Sequence, residues 1–168
     1  ILCFKDGKEQ EIPVEELRQG DKIVTYKQGY QPIADMRRGE TVLGRLNDMG
    51  MFKLKKQGSM TNDLEMTGLH ALLVDENYEH FDEEMKKQQE VFKVANKESA
   101  LEDKYRLRAT FCSKFEKMPI DEYTIYSFSL GGAQVQYGIY ANGALVETTS
   151  QRILDLSSIE KVGVKYLV

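Results

Sequence analysis

The residues of this chain best suited to covalent chemistry are its cysteines and histidines, two of each. Cys3 and Cys112 carry thiols, and an ordinary thiol is only a few per cent thiolate, its nucleophilic form, at neutral pH. His70 and His80 can hold or release a proton near neutral pH. Taken alone, Cys3 is better explained as a small buried hydrophobe and His70 as a core histidine. The blocks of sequence around them change both interpretations.

Three blocks carry the functional signal. They are Cys3-Phe4 followed by Val14-x-x-Leu17-x-x-Gly20-Asp21-x-Ile23; then Met66-Thr67-Gly68-Leu69-His70; and then Thr124-Ile125-Tyr126-Ser127-Phe128 with Tyr137-Gly138-Ile139-Tyr140-Ala141-Asn142-Gly143-Ala144-Leu145-Val146. In this order the blocks resemble those of Hint domains, the self-processing modules of inteins and hedgehog proteins. The resemblance runs from Cys3 to about Val146, apart from an insertion around 81–92 and the tail.

The resemblance implies a reaction at the Leu2–Cys3 peptide bond. Cys3 would attack the carbonyl of Leu2 and form an internal thioester, an N-to-S acyl shift. His70 would protonate the departing amine, because an amide anion is a very poor leaving group. Thr67 would orient and strain the amide, whose planar resonance otherwise protects it. A peptide bond bent by the surrounding fold would lose part of that protection.

Two departures from the family pattern limit the predicted outcome. Ser127 stands where inteins commonly have an aspartate that helps to activate the first cysteine, and a serine would replace it only weakly. Glu147-Thr148 stands where an intein has His-Asn. The chain therefore lacks, at that position, the asparagine whose cyclisation completes splicing. The predicted function is therefore amino-terminal autocleavage, or transfer of the upstream segment to water or a small nucleophile.

Several alternatives stay open beside this interpretation. The fold could be a catalytically weakened interaction module, or the chain could be a cysteine hydrolase that acts on other proteins in trans. Cys112 is a possible secondary nucleophile that would accept the acyl group by thioester exchange, although packing explains it as well. Asn142 and Gly143 are expected to support the site as a hairpin turn, and His80 is expected at the surface.

Short strands are the elements that must position these residues. Apolar or alternating runs between Gly, Asn and Asp predict an all-β fold; they lie at 22–26, 64–67, 71–74, 124–126, 137–140 and 144–146. The resemblance implies a Hint horseshoe with pseudo-two-fold symmetry and one or two short helices. Asn142-Gly143 predicts a type I′ hairpin turn, because both residues tolerate positive φ.

Helical signals and the blocks together give the domain organisation. Residues 14–17 predict one helical turn after Pro13. Good helix formers with a Glu83–Lys87 pair predict an inserted surface helix at 81–92. We expect residues 1–2 to be the end of an upstream segment, residues 3–148 to be the Hint domain, and residues 149–168 to be an extension packed on it or following it.

The composition limits the classes of partner that we expect for this chain. The 23 Lys and Arg against 27 Asp and Glu give a net charge of −4 without a dense basic block, which argues against nucleic acid. No apolar run reaches the ~18 residues of a membrane span. Two cysteines are too few for a disulfide framework, and no Cys/His run has metal-ligand spacing. We expect an intracellular monomer without cofactor or metal, whose substrate is its own covalently linked upstream segment.

Overall fold

The computed structural model describes residues 1–43, 50–132, 135–156 and 165–166. This part of the chain is mostly β, which confirms the predicted fold class. Its strands are β1 (Leu2–Lys5), β2 (Lys8–Glu11), β3 (Lys22–Val24), β4 (Tyr30–Pro32), β5 (Asp35–Leu43), β6 (Met51–Leu54), β7 (Leu64–Thr67), β8 (Ala71–Val74), β9 (Ala100–Leu101), β10 (Lys104–Arg108), β11 (Phe115–Lys117), β12 (Asp121–Ser129), β13 (Gly138–Ala141), β14 (Ala144–Glu147) and β15 (Lys165–Tyr166). The α-helices are α1 (Phe81–Phe92) and α2 (Gln151–Leu156). No helix within the described ranges is long and apolar enough to cross a membrane.

The strands form four antiparallel sheets within the described ranges. Their strand orders are β2-β1-β3-β4, β13-β14-β8-β10-β9, β11-β6-β7 and β12-β5-β15. The first two sheets meet where Thr25 forms an isolated bridge with Ile139. One buried hydrophobic cluster joins the layers and includes Cys3, Ile23, Met85 and Ile139. Cys3 is therefore part of the core as well as the predicted nucleophile.

Most predicted strands lie close to their predicted bounds. The runs at 64–67 and 71–74 are β7 and β8, and the run at 144–146 lies within β14. The run predicted at 22–26 ends as a strand at Val24, because the chain turns at the next residue. There the Thr25 hydroxyl donates a hydrogen bond to the Gly29 carbonyl at 2.7 Å and the N–H of Gln28 donates to that hydroxyl.

Two hairpins use the same kind of tight turn. Asp6 (φ 54°) and Gly7 (φ 77°) connect β1 to β2, and Asn142 (φ 48°) and Gly143 (φ 79°) connect β13 to β14. Two positive φ values in a two-residue loop are those of a type I′ turn, as predicted at Asn142-Gly143. The first hairpin sets the register of the strand that carries Cys3.

The β13–β14 turn packs closely on the loop before β7. A Cβ atom at Gly143 would lie 2.7 Å from the carbonyl oxygen of Ser59. The side-chain amide of Asn142 donates to the Asp63 carbonyl at 2.7 Å, and the N–H of Thr61 donates to the Asn142 carbonyl at 2.9 Å. This contact holds the hairpin against the segment that leads to Thr67.

We expect Gly143→Ala to lower the free energy of unfolding by about 3 kcal/mol, from the positive φ together with the clash. Gly7→Ala is the matched control, because that glycine has φ +77° and no neighbour within 4 Å. The control should lose only about 1 kcal/mol, the cost of the left-handed backbone alone. Urea unfolding measures both; equal losses would mean that the close approach to Ser59 relaxes without penalty.

Helix α1 covers the range predicted for the insertion, and one of its faces is buried. Acidic residues in its first turn interact favourably with the positive end of the helix dipole. The helix ends at Lys93, whose backbone is left-handed with φ 55°. The buried side-chain amide of Gln88 donates to the Arg106 carbonyl at 2.8 Å and accepts the Arg108 N–H at 2.9 Å. These bonds fix the helix on β10, so the segment belongs to the packed structure.

The tail packs on the sheet of β5 and β12 through α2. The guanidinium of Arg37, 4% exposed, donates to the Leu154 carbonyl and to the Asp155 carboxylate. The Gln151 side chain donates to Asp35 at 2.7 Å and accepts from the Ser129 hydroxyl. The described part of residues 149–168 is therefore docked on the rest of the fold.

Candidate active site

A cavity of about 670 Å³ lies where several segments of the chain meet. Ile1 lines it from just before β1, Thr67 and His70 from the end of β7 and the turn after it, Ser127 from β12, and Asn142 from the β13–β14 turn. Residues that are far apart in sequence thus share one wall. The structure brings three predicted catalytic residues into one lining with Ile1, the residue that precedes Leu2.

Cys3 is the second residue of β1, and it is not among the described residues that line the cavity. Its side chain is 1% exposed, and its thiol donates a hydrogen bond to the carbonyl oxygen of Ile1, with Sγ 3.4 Å away. Burial raises the pKa of the Cys3 thiol to about 11, because the thiolate would lose its hydration there. At neutral pH the Cys3 thiol is therefore protonated, and the predicted attack would need a base to take its proton.

The predicted scissile bond between Leu2 and Cys3 lies within β1. The nitrogen of Ile1 donates to the Ile12 carbonyl at 2.8 Å, and the Ile12 N–H donates back at 2.9 Å. Hydrogen-bonded pairs alternate along antiparallel strands, so Cys3 with Gln10 is the next such pair. The amide N–H of Cys3 therefore faces β2, and the Leu2 carbonyl points to the other side, toward β3.

The T-x-x-H motif forms a tight turn between β7 and β8. The N–H of His70 donates to the Thr67 carbonyl at 3.0 Å, which closes the turn. The N–H groups of Ala109 and Thr110 donate to the carbonyls of His70 and Gly68, both at 3.0 Å. The spacing thus has a structural reason, because the turn presents both side chains to the cavity. Within the described ranges neither the Thr67 hydroxyl nor the His70 imidazole has a hydrogen-bond partner.

Ser127 is a residue of β12 that lines the cavity. Its strand, β12, pairs with β5 over its whole length, with Ser127 opposite Arg37. A serine hydroxyl can donate or accept a hydrogen bond, but it cannot act as a base at neutral pH. The role of Ser127 as a weak substitute for an acidic partner of Cys3 stays a prediction.

Glu147 belongs to the site, although in the sequence it stands out only as a departure from the Hint pattern. It is buried at the end of β14 and lines the cavity. Its Oε2 atom accepts hydrogen bonds from Arg106 Nε at 2.8 Å and from Gln136 Nε2 at 3.1 Å. A carboxylate that ends an otherwise apolar strand was the signal for it in the sequence. The cavity therefore does contain a carboxylate, although not at position 127.

Cys112 is not among the described residues that line this cavity. Its side chain is 3% exposed, and its sulfur lies 3.5 Å from the hydroxyl of Tyr78. That hydroxyl donates to Glu84 at 2.9 Å, and Glu84 also accepts the N–H of Ser113. Burial raises the pKa of the Cys112 thiol. This position favours a packing role over the predicted role as a second nucleophile.

The raised pKa of Cys3 predicts the pH dependence of its alkylation. Because the folded state favours the neutral thiol, the iodoacetamide rate at Cys3 should rise about tenfold per pH unit and level off only near pH 11. Mass spectrometry of the Cys3 peptide measures this rate, and circular dichroism at each pH checks the fold. Levelling near pH 9, the range of an ordinary thiol, would show instead that alkylation passes through an opened state.

The site combines a buried thiol with a cavity lined by hydroxyl, imidazole and carboxylate groups. Such groups can hold, accept and donate protons around a single peptide bond. No protein-family model matches this chain, nor does any curated protein or solved structure.

Proposed function

We propose that this chain cleaves its own backbone between Leu2 and Cys3 through an N-to-S acyl shift. The observation that carries the proposal is the cavity that gathers Thr67 and His70 against Ile1. The carbonyl of Ile1 also accepts the hydrogen bond of the Cys3 thiol, so Ile1 contacts both the candidate nucleophile and the cavity that His70 lines. Cleavage of the Leu2–Cys3 bond needs a nucleophile and a proton donor near one peptide group, and this connection supports the proposal.

The acyl shift exchanges one bond of the Leu2 carbonyl carbon for another. Cys3 Sγ attacks that carbon and forms a cyclic tetrahedral intermediate, while the thiol proton passes to a base. The carbon–nitrogen bond then breaks, and His70 gives a proton to the departing amine of Cys3. The Thr67 hydroxyl, unpaired among the described residues, holds the peptide in the reactive geometry in this proposal.

The thioester has no route to complete splicing in this chain. Glu147 and Thr148 follow Val146, and neither carries the amide side chain that succinimide formation needs. The acyl group therefore passes to water or to a small nucleophile, and the upstream segment is released or transferred. One molecule of this protein performs one turnover.

The burial of Cys3 favours self-cleavage over hydrolysis of other proteins in trans. With 1% of its surface exposed, its sulfur is too enclosed to meet the backbone of a second protein, which is far bulkier than a small thiol reagent. The carbonyl of Leu2, by contrast, is already covalently next to the nucleophile. An intramolecular attack of this kind gains the large effective concentration of a tethered reactant.

A reporter protein fused ahead of Ile1 tests the proposal. Dithiothreitol should release the reporter, and mass spectrometry should find it ending at Leu2 as the dithiothreitol thioester, with a second product that begins at Cys3. Hydroxylamine should give the hydroxamate at the same residue, which identifies an acyl intermediate. A fusion that stays intact with both reagents would overturn the proposal and favour a non-catalytic interaction module.

A further inference from the structure

A second cavity, of about 590 Å³, adjoins the first. The two cavities share a wall that consists of Thr67, His70, Ser127, Glu147, Thr148 and Thr149. Ile1 lines the first cavity, whereas Arg106 and Arg108 line the second. The second cavity is thus lined by the same candidate catalytic residues as the first. Ile1, however, is not among the described residues that line it.

Arg108 gives this second cavity a positive charge that no ion pair among the described residues neutralises. The neighbouring Arg106 is already paired with Glu147 at 2.8 Å. The guanidinium of Arg108 lies 4.5 Å from the ring centre of Phe92, and within the described ranges no carboxylate lies at ion-pair distance from it. Glu98, the other acidic residue of the lining, is exposed and accepts a backbone N–H. An anion in the cavity would therefore find one unneutralised cation.

The surroundings of Arg108 strengthen its attraction for an anion. Burial lowers the pKa of its guanidinium, because the cation has lost part of its hydration, yet arginine stays charged at any working pH. Charges interact more strongly in such a partly dry site than at the surface. The cavity also has an apolar side, with Leu69 (38% exposed) and Ile153 (51% exposed) in its lining. It therefore suits a small molecule with a short chain and an anionic end.

We propose that the second cavity binds the acceptor of the acyl group, and that this acceptor is a small nucleophile with a carboxylate or similar anionic group. The inference rests on the proposed self-cleavage at Leu2–Cys3. Arg108 holds the anionic end, and the nucleophilic atom reaches the Leu2 carbonyl carbon across the shared wall. With a thiol acceptor, its sulfur bonds to that carbon, the bond from carbon to Cys3 Sγ breaks, and the acceptor proton ends on Cys3.

Three thiols of similar size and different charge test this proposal with the reporter fusion: 3-mercaptopropionate, 2-mercaptoethanol and cysteamine. At equal thiolate concentration, 3-mercaptopropionate should release the reporter about tenfold faster than 2-mercaptoethanol, with saturation, because a charge-assisted hydrogen bond positions it. The net charge of −4 would by itself repel this anion, so general electrostatics predicts the opposite order. Equal rates, or a faster reaction with cysteamine, would overturn the acceptor site.

Variants at Arg108 show whether that residue sets the preference. In Arg108→Gln the ratio of the 3-mercaptopropionate rate to the 2-mercaptoethanol rate should fall to about one, and Arg108→Lys should restore part of it. Arg152→Gln is the matched control, because Arg152 is exposed on α2 and is not among the described residues lining either cavity. An unchanged ratio in Arg108→Gln, or an equal fall in Arg152→Gln, would contradict the assignment.

A binding measurement separates failure of the acceptor site from failure of the self-cleavage. In Cys3→Ala protein without a reporter, 3-mercaptopropionate should shift the Arg108 Nε–Hε resonance saturably, and 2-mercaptoethanol should not. If no thiol releases the reporter but the shift occurs, the self-cleavage proposal fails and the anion site stands. If release occurs without preference and without a shift, the acceptor site fails and the self-cleavage stands.

Discussion

Cys3→Ala should abolish thiol-induced release of a reporter fused ahead of Ile1, with a loss of at least about a thousandfold in rate. Without the sulfur no thioester can form, and dithiothreitol would have to attack an ordinary amide, which resonance protects. Release is measured by gel and by the mass of the two fragments. Cleavage that persists in this variant would point to a contaminating protease or to another nucleophile.

Cys112→Ala is the matched control for that result. Both thiols are buried, and both have a pKa raised by burial, so their removal perturbs the core in a similar way. Of the two cysteines, only Cys3 adjoins the bond at which we propose cleavage. Release should therefore continue at close to the wild-type rate in Cys112→Ala, and a comparable loss in both variants would mean that damage to the core explains the effect.

The second large effect is expected at His70. His70→Ala should slow release by at least about a hundredfold, because the departing amine of Cys3 loses its proton donor. His80→Ala is the control, since His80 is the other histidine of the chain and its side chain is 43% exposed beside Glu79. Release in that variant should match wild type within about twofold, the range expected of a change outside the site.

Thermal stability distinguishes a catalytic His70 from a structural one. Its imidazole faces the cavity and has no hydrogen-bond partner within the described ranges. Its removal should therefore change the free energy of unfolding by no more than about 0.5 kcal/mol, as at other positions without buried partners. A loss of stability as large as that of a core truncation, together with release at a normal rate, would assign His70 to packing instead.

The two departures from the Hint pattern lie together in the structure. Ser127 and the pair Glu147 and Thr148 all lie on the wall between the two cavities. Glu147, at the end of β14, thus adds a carboxylate to the same wall as Ser127. Its hydrogen bonds with Arg106 and Gln136 hold it in one orientation. The wall therefore combines acid, hydroxyl and imidazole groups from three separate strands and turns.

Local chemistry explains what could be predicted from the sequence alone. The Asn142-Gly143 turn follows from backbone steric preference, the helix at 81–92 from side-chain propensity, and the strands at 64–67 and 71–74 from their apolar pattern. Each of these features is decided by residues within a few positions of one another. The three-residue spacing of Thr67 and His70 belongs to the same class, because one short turn presents both.

The tertiary structure alone decided which of these elements face one another. Glu147 meets Arg106, and Arg37 meets α2, through contacts between segments that are distant in sequence. The second cavity and the position of Arg108 over the Phe92 ring likewise arise from the packing of several elements. Such contacts are set by the mutual burial of whole faces, which no short stretch of sequence encodes. The residue types that suit the proposed chemistry could therefore be recognised in short stretches of sequence. Which of them lie close together was decided by the fold.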